Sequence, residues 1–402
     1  MRFLRIFLKD EKGASMIMVA VALVMIFAFA VLAIDLSLIQ LAKTQLQNAA
    51  DAAALAGAIA HALTPGTQAE KEAAATAEAI RVAGLNVAVQ DIQRSVIIGP
   101  ADVTFPGSDS ITVTTHRTKA TDDPVAQYFL RVLDPLLENE GEVTARATAT
   151  VWCISGTDCL RPFCPPDRWN DTDNDSIWDP ADEYDDLNDN GVWDVGEPLT
   201  EDYNGNGVWD SAEFYDPEIT GYRVPDDVGV QVTLKLRNSN FEFRAGWYYA
   251  IRFGPINTGV PVESGADPYR EWILGCEPYT VSIGDLLELE NGVMQGPTVQ
   301  GLQDLIDQDP TAEWDAANGM VINSAFPTSP RVIKVAAFDP TLGVRKDIPG
   351  PGYVTVSKII ALFIEGHDGS DVVGRFVRIV TEGTPSPEDC SGGFLATPVL
   401  VE

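Results

Sequence analysis

Three acidic stretches between residues 171 and 213 share one spacing, and that spacing restricts the backbone path more tightly than anything else in this chain. Asp171, Asp173, Asp175, Asp179 and Asp182 form the first, Asp186, Asn188, Asn190, Asp194 and Glu197 the second, and Asp202, Asn204, Asn206, Asp210 and Glu213 the third. Each places oxygen-bearing side chains at positions 1, 3, 5, 9 and 12 of a twelve-residue loop, with Gly191 and Gly207 at position 6 of the second and third. A hard divalent cation takes six to eight oxygen ligands. A curling chain supplies them from alternate side chains, a carbonyl at position 7 and a carboxylate at position 12, with glycine at position 6 for the sharp turn. The spacing therefore predicts Ca2+ as cofactor, held by these side chains and by the carbonyls of Ile177, Val192 and Val208. Loop one departs from the pattern, with Ser176 at position 6 and the shorter acid Asp182 at position 12.

The loops begin at 171, 186 and 202, which leaves three or four residues between one loop and the next. A helix-loop-helix unit needs a helix on each side of its loop, and there is no room for one. The stretch instead resembles the tandem aspartate-rich repeats of dockerins and thrombospondins. Trp178, Trp193 and Trp209 all fall at loop position 8 and are expected to bury the loops against one another. Metal would then contribute folding energy directly. Between Asp167 and Glu218 there are eighteen acidic residues and one arginine, more than half of the chain's net charge of −32. Such an acidic block repels itself unless cations compensate it, and it argues against nucleic acid as a partner.

The N-terminus sets a second constraint. Residues 14–34, ASMIMVAVALVMIFAFAVLAI, carry no charge. Twenty-one residues at about 1.5 Å each are enough to cross a hydrocarbon core. Arg2, Arg5, Lys9 and Lys12 precede the run and Asp35 follows it, so the positive-inside rule leaves the N-terminus in the cytoplasm and the bulk outside the inner membrane. The run is longer than the apolar part of a cleaved signal and the small-residue site after it is weak, so a retained single-pass anchor is expected. Strong helix formers continue beyond it to Pro65-Gly66, and Leu38, Leu41, Gln45, Ala49, Ala52 and Ala56 line a narrow face at helical spacing. Small residues on such a face let helices pack closely.

Gly13, the apolar run, Asp35 and above all Leu46-Gln-Asn-Ala-Ala-Asp-Ala-Ala-Ala-Leu-Ala-Gly-Ala58 resemble the N-terminal segment of TadG-like proteins of Flp (tight adherence) pilus assembly. The resemblance covers about residues 10–60. It implies an envelope protein tied to a pilus or secretion machine, whose partners are the membrane and other single-span helices. Flp-type prepilins carry a glutamate five residues beyond their processing site, whereas Ala14, Ser15, Met16, Ile17 and Met18 follow Gly13 here. An anchored accessory role fits that departure better than a polymerising pilin.

The remaining pattern is α+β. The expected domains are a cytoplasmic N-terminus (1–13), a transmembrane helix (14–34), a helical stalk (35–84), a small pilin-like α+β module (85–152), a calcium-binding repeat insert (153–225) and a β-rich C-terminal domain (226–402). In the module, strands are predicted at 95–98, 103–105, 111–115 and 143–152, with a helix from Asp123 to Leu136. The C-terminal domain shows strand candidates at 228–236, 247–253, 331–338, 353–364 and 372–380 and a short helix at 301–307. A mixed sheet or a sandwich accounts for them.

No Gly-x-Ser-x-Gly, His-Glu-x-x-His or phosphate-loop string is present. His61, His116 and His367 are scattered, and no Cys-x-x-Cys pair occurs among Cys153, Cys159, Cys164, Cys276 and Cys390. One or two disulfides are expected, and the odd count leaves at least one thiol over. The expectation is a non-catalytic structural or adhesive protein; a stand-alone calcium-dependent surface module with an unidentified surface ligand is the alternative.

Overall fold

The computed structural model describes residues 11–89, 93–121, 124–126, 140–203, 205–237, 243–254, 263–276, 278–292, 294–386 and 393–401. It divides into two compact units, Met1–Val151 with Pro398–Glu402, and Trp152–Thr397.

The first unit is organised by one 53-residue helix, Glu11–Leu63, about 80 Å long at 1.5 Å per residue. Its first half exposes large apolar side chains, with Met16 at 78% and Phe29 at 73%. It is long and apolar enough to cross a membrane. Its second half buries Leu46 and a set of small side chains, Ala42, Ala49, Ala50, Ala53, Ala54 and Ala58. This stripe is wider than the expected face, and Leu41 of that face is exposed. The helix packs on two partners, a second helix Gln68–Leu85 and a sheet, so more than one line of residues is covered. At Gly57 a Cβ would lie 2.4 Å from Ile111 Cδ1 and 3.2 Å from the Ala75 carbonyl, so only glycine lets these elements approach. The second helix starts on a capping box in which Thr67 and Glu70 exchange hydrogen bonds.

The sheet pairs Ser110–Arg117 antiparallel with Val103–Gly107 on one side and Val143–Thr157 on the other, with Val113 opposite Ala147. Val143, Ala145, Ala147, Ala149 and Val151 are buried at alternate positions, as period two requires. Thr115 donates to the Leu46 carbonyl at 2.9 Å, tying sheet to helix. The buried Arg117 guanidinium donates to the carbonyls of Ala88, Arg94 and Ser95. His61 is buried beside Phe105, and His116 approaches Asp102. The helix expected from Asp123 to Leu136 lies mostly outside the described residues; within them Val125–Ala126 pairs as a strand with Glu140–Gly141.

In the second unit the long strand Tyr353–Asp368 is central. It pairs with Val332–Phe338, Asp371–Phe376 and Leu286–Leu289. Gln231–Leu236 pairs antiparallel with Asp371–Phe376 and parallel with Trp247–Arg252, which itself pairs with Leu286–Leu289. The sheet is therefore mixed, and its ladder closes on itself through five strands. Continuous apolar sequence makes Ile359–Ile364 buried at every position. Two helices, Ala266–Leu274 and Gln295–Gln308, pack at Gly301, where a Cβ would meet Ile273 at about 3 Å. Cys159 and Cys276 form a disulfide, and Cys164 is a buried free thiol. Long helix and β-rich remainder together give the α+β class.

Candidate metal centres

The acidic segment begins and ends on the second unit's sheet. Residues 160–167 run beside Val332–Phe338: the Arg161 N–H donates to the Lys334 carbonyl and the Asp167 N–H to that of Phe338. Asp167 is fully buried. Its carboxylate accepts from the Arg168 and Tyr222 N–H groups at 2.9 and 2.8 Å and from the Tyr215 hydroxyl at 3.0 Å. Burial pushes its carboxyl up to about 6, against the opposing pull of Lys358 and these donors. Lys358, itself buried, donates to the carbonyls of Pro217 and Tyr222. Asp167 at the start of the segment and Lys358 of the central strand thus both bond to Tyr222 at its far end.

From that base the chain makes a nested hairpin. The Asn170 N–H donates to the Phe214 carbonyl at 3.0 Å, closing the neck. Glu183–Tyr184 pairs antiparallel with Leu199–Glu201 further out, and the Asp185 N–H donates to the Pro198 carbonyl at the outermost rung. Loops one (171–182) and three (202–213) are therefore the two opposed arms between neck and inner ladder. Loop two (186–197) is the tip.

All three loops have the same local conformation. Positions 4 and 6 lie in the left-handed region in each: Asn174 and Ser176, Asp189 and Gly191, Gly205 and Gly207. The position 1 carboxylate accepts the position 6 N–H in each, at 3.0, 2.7 and 2.8 Å for Asp171, Asp186 and Asp202. The position 5 side chain accepts the position 7 N–H at 2.6, 2.7 and 2.7 Å, from Ile177, Val192 and Val208. Asp173, Asp175, Asn188, Asn190, Asp194 and Asn206 are exposed along the same arcs, and Asp179 and Asp210 are half-buried. Asn204 lies outside the described residues.

The closing carboxylates follow another rule. Glu197 accepts the N–H groups of Leu187 and Asp194, positions 2 and 9 of its own loop, both at 2.9 Å. Glu213 instead accepts from Thr172 at 2.8 Å and Asp179 at 3.3 Å, positions 2 and 9 of loop one. Asp182 accepts from Tyr203 at 2.9 Å and Asp210 at 2.8 Å, positions 2 and 9 of loop three. The backbone repeats the exchange: the Glu213 N–H donates to the Asp179 carbonyl and the Asp182 N–H to that of Asp210. Asp182, Glu197 and Glu213 are 5, 8 and 6% exposed, so all three closures are buried. Sequence spacing assigned each position 12 acid to its own loop; the nested pairing places two of them across the hairpin.

The three tryptophans anchor the loops in three different ways. Trp178 packs edge-on against Trp169, which contacts Phe243, which contacts Phe338 of the sheet core. Trp209 packs edge-on on Tyr184 and donates to the Asp182 carbonyl. Trp193 donates to the Glu197 carbonyl. Trp169 and Tyr184 carry no motif spacing and went unread in the sequence.

The donor set suits a hard divalent cation. Ligand atoms of Asp171, Asp173 and Glu213 lie within 4.8 Å of one another, as do those of Asp173, Asp175 and Asp179. Asp171 Oδ1 is buried and accepts no hydrogen bond among the described residues. Burial raises Glu213, with the Asp171 charge adding to it. Asp179 is pushed up to about 6, by burial first and then by Asp175, Asp173, Glu213 and Asp182. A cation among these oxygens would offset the repulsion, supplying positive charge where the side chains converge.

Residues 13–60 match the model of the Flp pilus-assembly TadE/G-like family. No curated protein and no solved structure matches the chain.

Proposed function

We propose that this chain is a membrane-anchored, calcium-stabilised, non-catalytic accessory protein of Flp-type pilus assembly, with its bulk outside the inner membrane. The match over residues 13–60 carries the reading, because it covers the apolar span and the Ala-rich helix that follows. The exposed apolar surface of Met16 to Leu36 supports membrane insertion, since such a face is costly in water. The helix would pack there with other single-span helices of the machine. The three loops support the calcium part through their shared conformation and buried closing carboxylates. Calcium at 10⁻⁴ to 10⁻³ M affinity is a property of extracellular modules, which agrees with loops on the outer side.

The test is to shear surface filaments from cells and fractionate the membranes, sequencing the N-terminus of this chain in each pool. Retention in the inner membrane with the Met1 end intact, and co-purification with pilus-assembly components, is the expected result. Release with filaments and a new end near Ala14 would make it a processed minor pilin. Retention without any pilus component would favour a stand-alone calcium-dependent adhesin.

A further inference from the structure

We propose that loops one and three form a reciprocal calcium-binding pair, in which each ion is held by one loop and closed by the terminal carboxylate of the other, while loop two binds alone. The proposal rests on the calcium reading and specifies how its sites are built. The first site would comprise Asp171, Asp173, Asp175, the Ile177 carbonyl, Asp179 and Glu213. The third would comprise Asp202, Asn206, the Val208 carbonyl, Asp210 and Asp182. The second would draw every ligand from residues 186–197.

The topology dictates this exchange. Because Asn170 pairs with Phe214, position 1 of loop one sits beside position 12 of loop three. Because Glu183 pairs with Glu201, position 12 of loop one sits beside position 1 of loop three. Only loop two, closed by the single rung at Asp185 and Pro198, has its own first and last positions together. Each of these two closing carboxylates binds the position 2 and position 9 N–H groups of the loop it faces, which seats it on that loop rather than on its own. In loop one the ring of oxygens includes Asp171 Oδ1, which accepts no hydrogen bond among the described residues, and ligand atoms of Glu213, Asp171 and Asp173 lie within 4.8 Å of one another.

Two consequences separate this arrangement from three self-contained loops. The exchange closes the first site on Glu213, the fifth of its carboxylates, whereas loop one alone would close on the shorter Asp182. A glutamate at the closing position reaches the ion through both oxygens, so the first site is expected to bind more tightly than a self-closed loop one. Each of the two ions also orders a carboxylate that the other requires, so their binding is positively coupled.

The experiment is calcium titration calorimetry, with metal counting on the full chain in detergent micelles, for Asp171→Asn, Asp202→Asn, Glu213→Gln, and the doubles D171N/E213Q and D202N/E213Q. D186N reports loop two. Reciprocal closure predicts that D171N/E213Q loses no more ions than either single variant, and that D202N/E213Q loses two. Loss of both paired ions in each single variant, with loop two's ion retained, supports the pair equally, because neither site then closes without the other. The reverse pattern, two ions lost in D171N/E213Q and one in D202N/E213Q where each single variant loses one, returns each carboxylate to its own loop and overturns the pairing. An unsubstituted chain that takes up no calcium overturns the calcium reading instead.

Discussion

The sheet around Tyr353–Asp368 and the loops from Asp171 to Glu213 lie in one unit and are held together in opposite ways. The strand buries Ile359, Ile360, Ala361, Leu362, Phe363 and Ile364 against other apolar side chains. The loops bury acidic groups, Asp182, Glu197 and Glu213, each spanned by two backbone N–H groups. Apolar burial is non-directional and needs nothing from solution. Buried carboxylates are costly unless paired, and N–H donors offset only part of that cost. One region is therefore expected to be stable in any buffer, and the other only with a cation.

The sharpest way to break this contrast is at Phe363, which is 1% exposed with the Arg331 guanidinium 4.8 Å over its ring. Phe363→Ala is expected to cost up to about 5 kcal/mol. Urea unfolding of the full chain in micelles should show the same loss with and without chelator. A loss that depends on calcium would mean that the two regions do not contribute separately.

Calcium removal is the next effect. At a free concentration tenfold above the dissociation constant, one ion adds about 1.4 kcal/mol, and three add about 4. Chelation should open residues 171–213 to proteolysis while the sheet core stays protected. Equal cleavage with and without chelator would show that hydrogen bonds alone hold the loops.

How far each region could be read in advance follows the same division. The sheet strands and the anchor announce themselves through local apolar patterns, which is why the strands expected at 331–338 and 353–364 and the long helix are found, the second strand running four residues further to Asp368. The loop conformation was legible as well, since Asp, Asn and Gly at fixed positions act within twelve residues. The exchange of Asp182 and Glu213 was not, because it depends on a bond between Asn170 and Phe214 that no spacing encodes. The helix Ala266–Leu274 was also missed. It buries only Tyr269, Trp272 and Ile273, too few for a periodic signal to stand out.

A pH titration sharpens the comparison at the junction of the two regions. Asp167 is buried, with its carboxyl at about 6 in the folded chain against 3.8 for an ordinary aspartate. Between these values the folded state binds more protons than the unfolded one, so this group's contribution is complete below about pH 4 and declines until about pH 6. That difference corresponds to about 3 kcal/mol. Asp167→Asn should remove that slope, read as the difference between variant and parent stability from pH 4 to 6. An unchanged slope would mean that Lys358 and the Tyr222 and Tyr215 donors fully compensate the burial.

The smallest effect isolates loop one. Ser176 has φ +68°, where Gly191 and Gly207 stand at the equivalent positions with φ +75° and +76°. A side chain in the left-handed region costs about 1–2 kcal/mol relative to its preferred backbone, and glycine avoids the clash. The unfolded chain gains freedom with glycine, which returns part of that gain, so Ser176→Gly is expected to stabilise loop one by about 1 kcal/mol or less. A Cβ built at Gly191 or Gly207 meets nothing within 4 Å, so by analogy the Ser176 Cβ is expected to give up no packing contact. If the loop's order depends on calcium, the gain appears as tighter binding of one ion, less than tenfold, with the urea midpoint of the sheet unmoved. A shift in the sheet midpoint instead would show that Trp178, Trp169 and Phe243 transmit loop strain into the core.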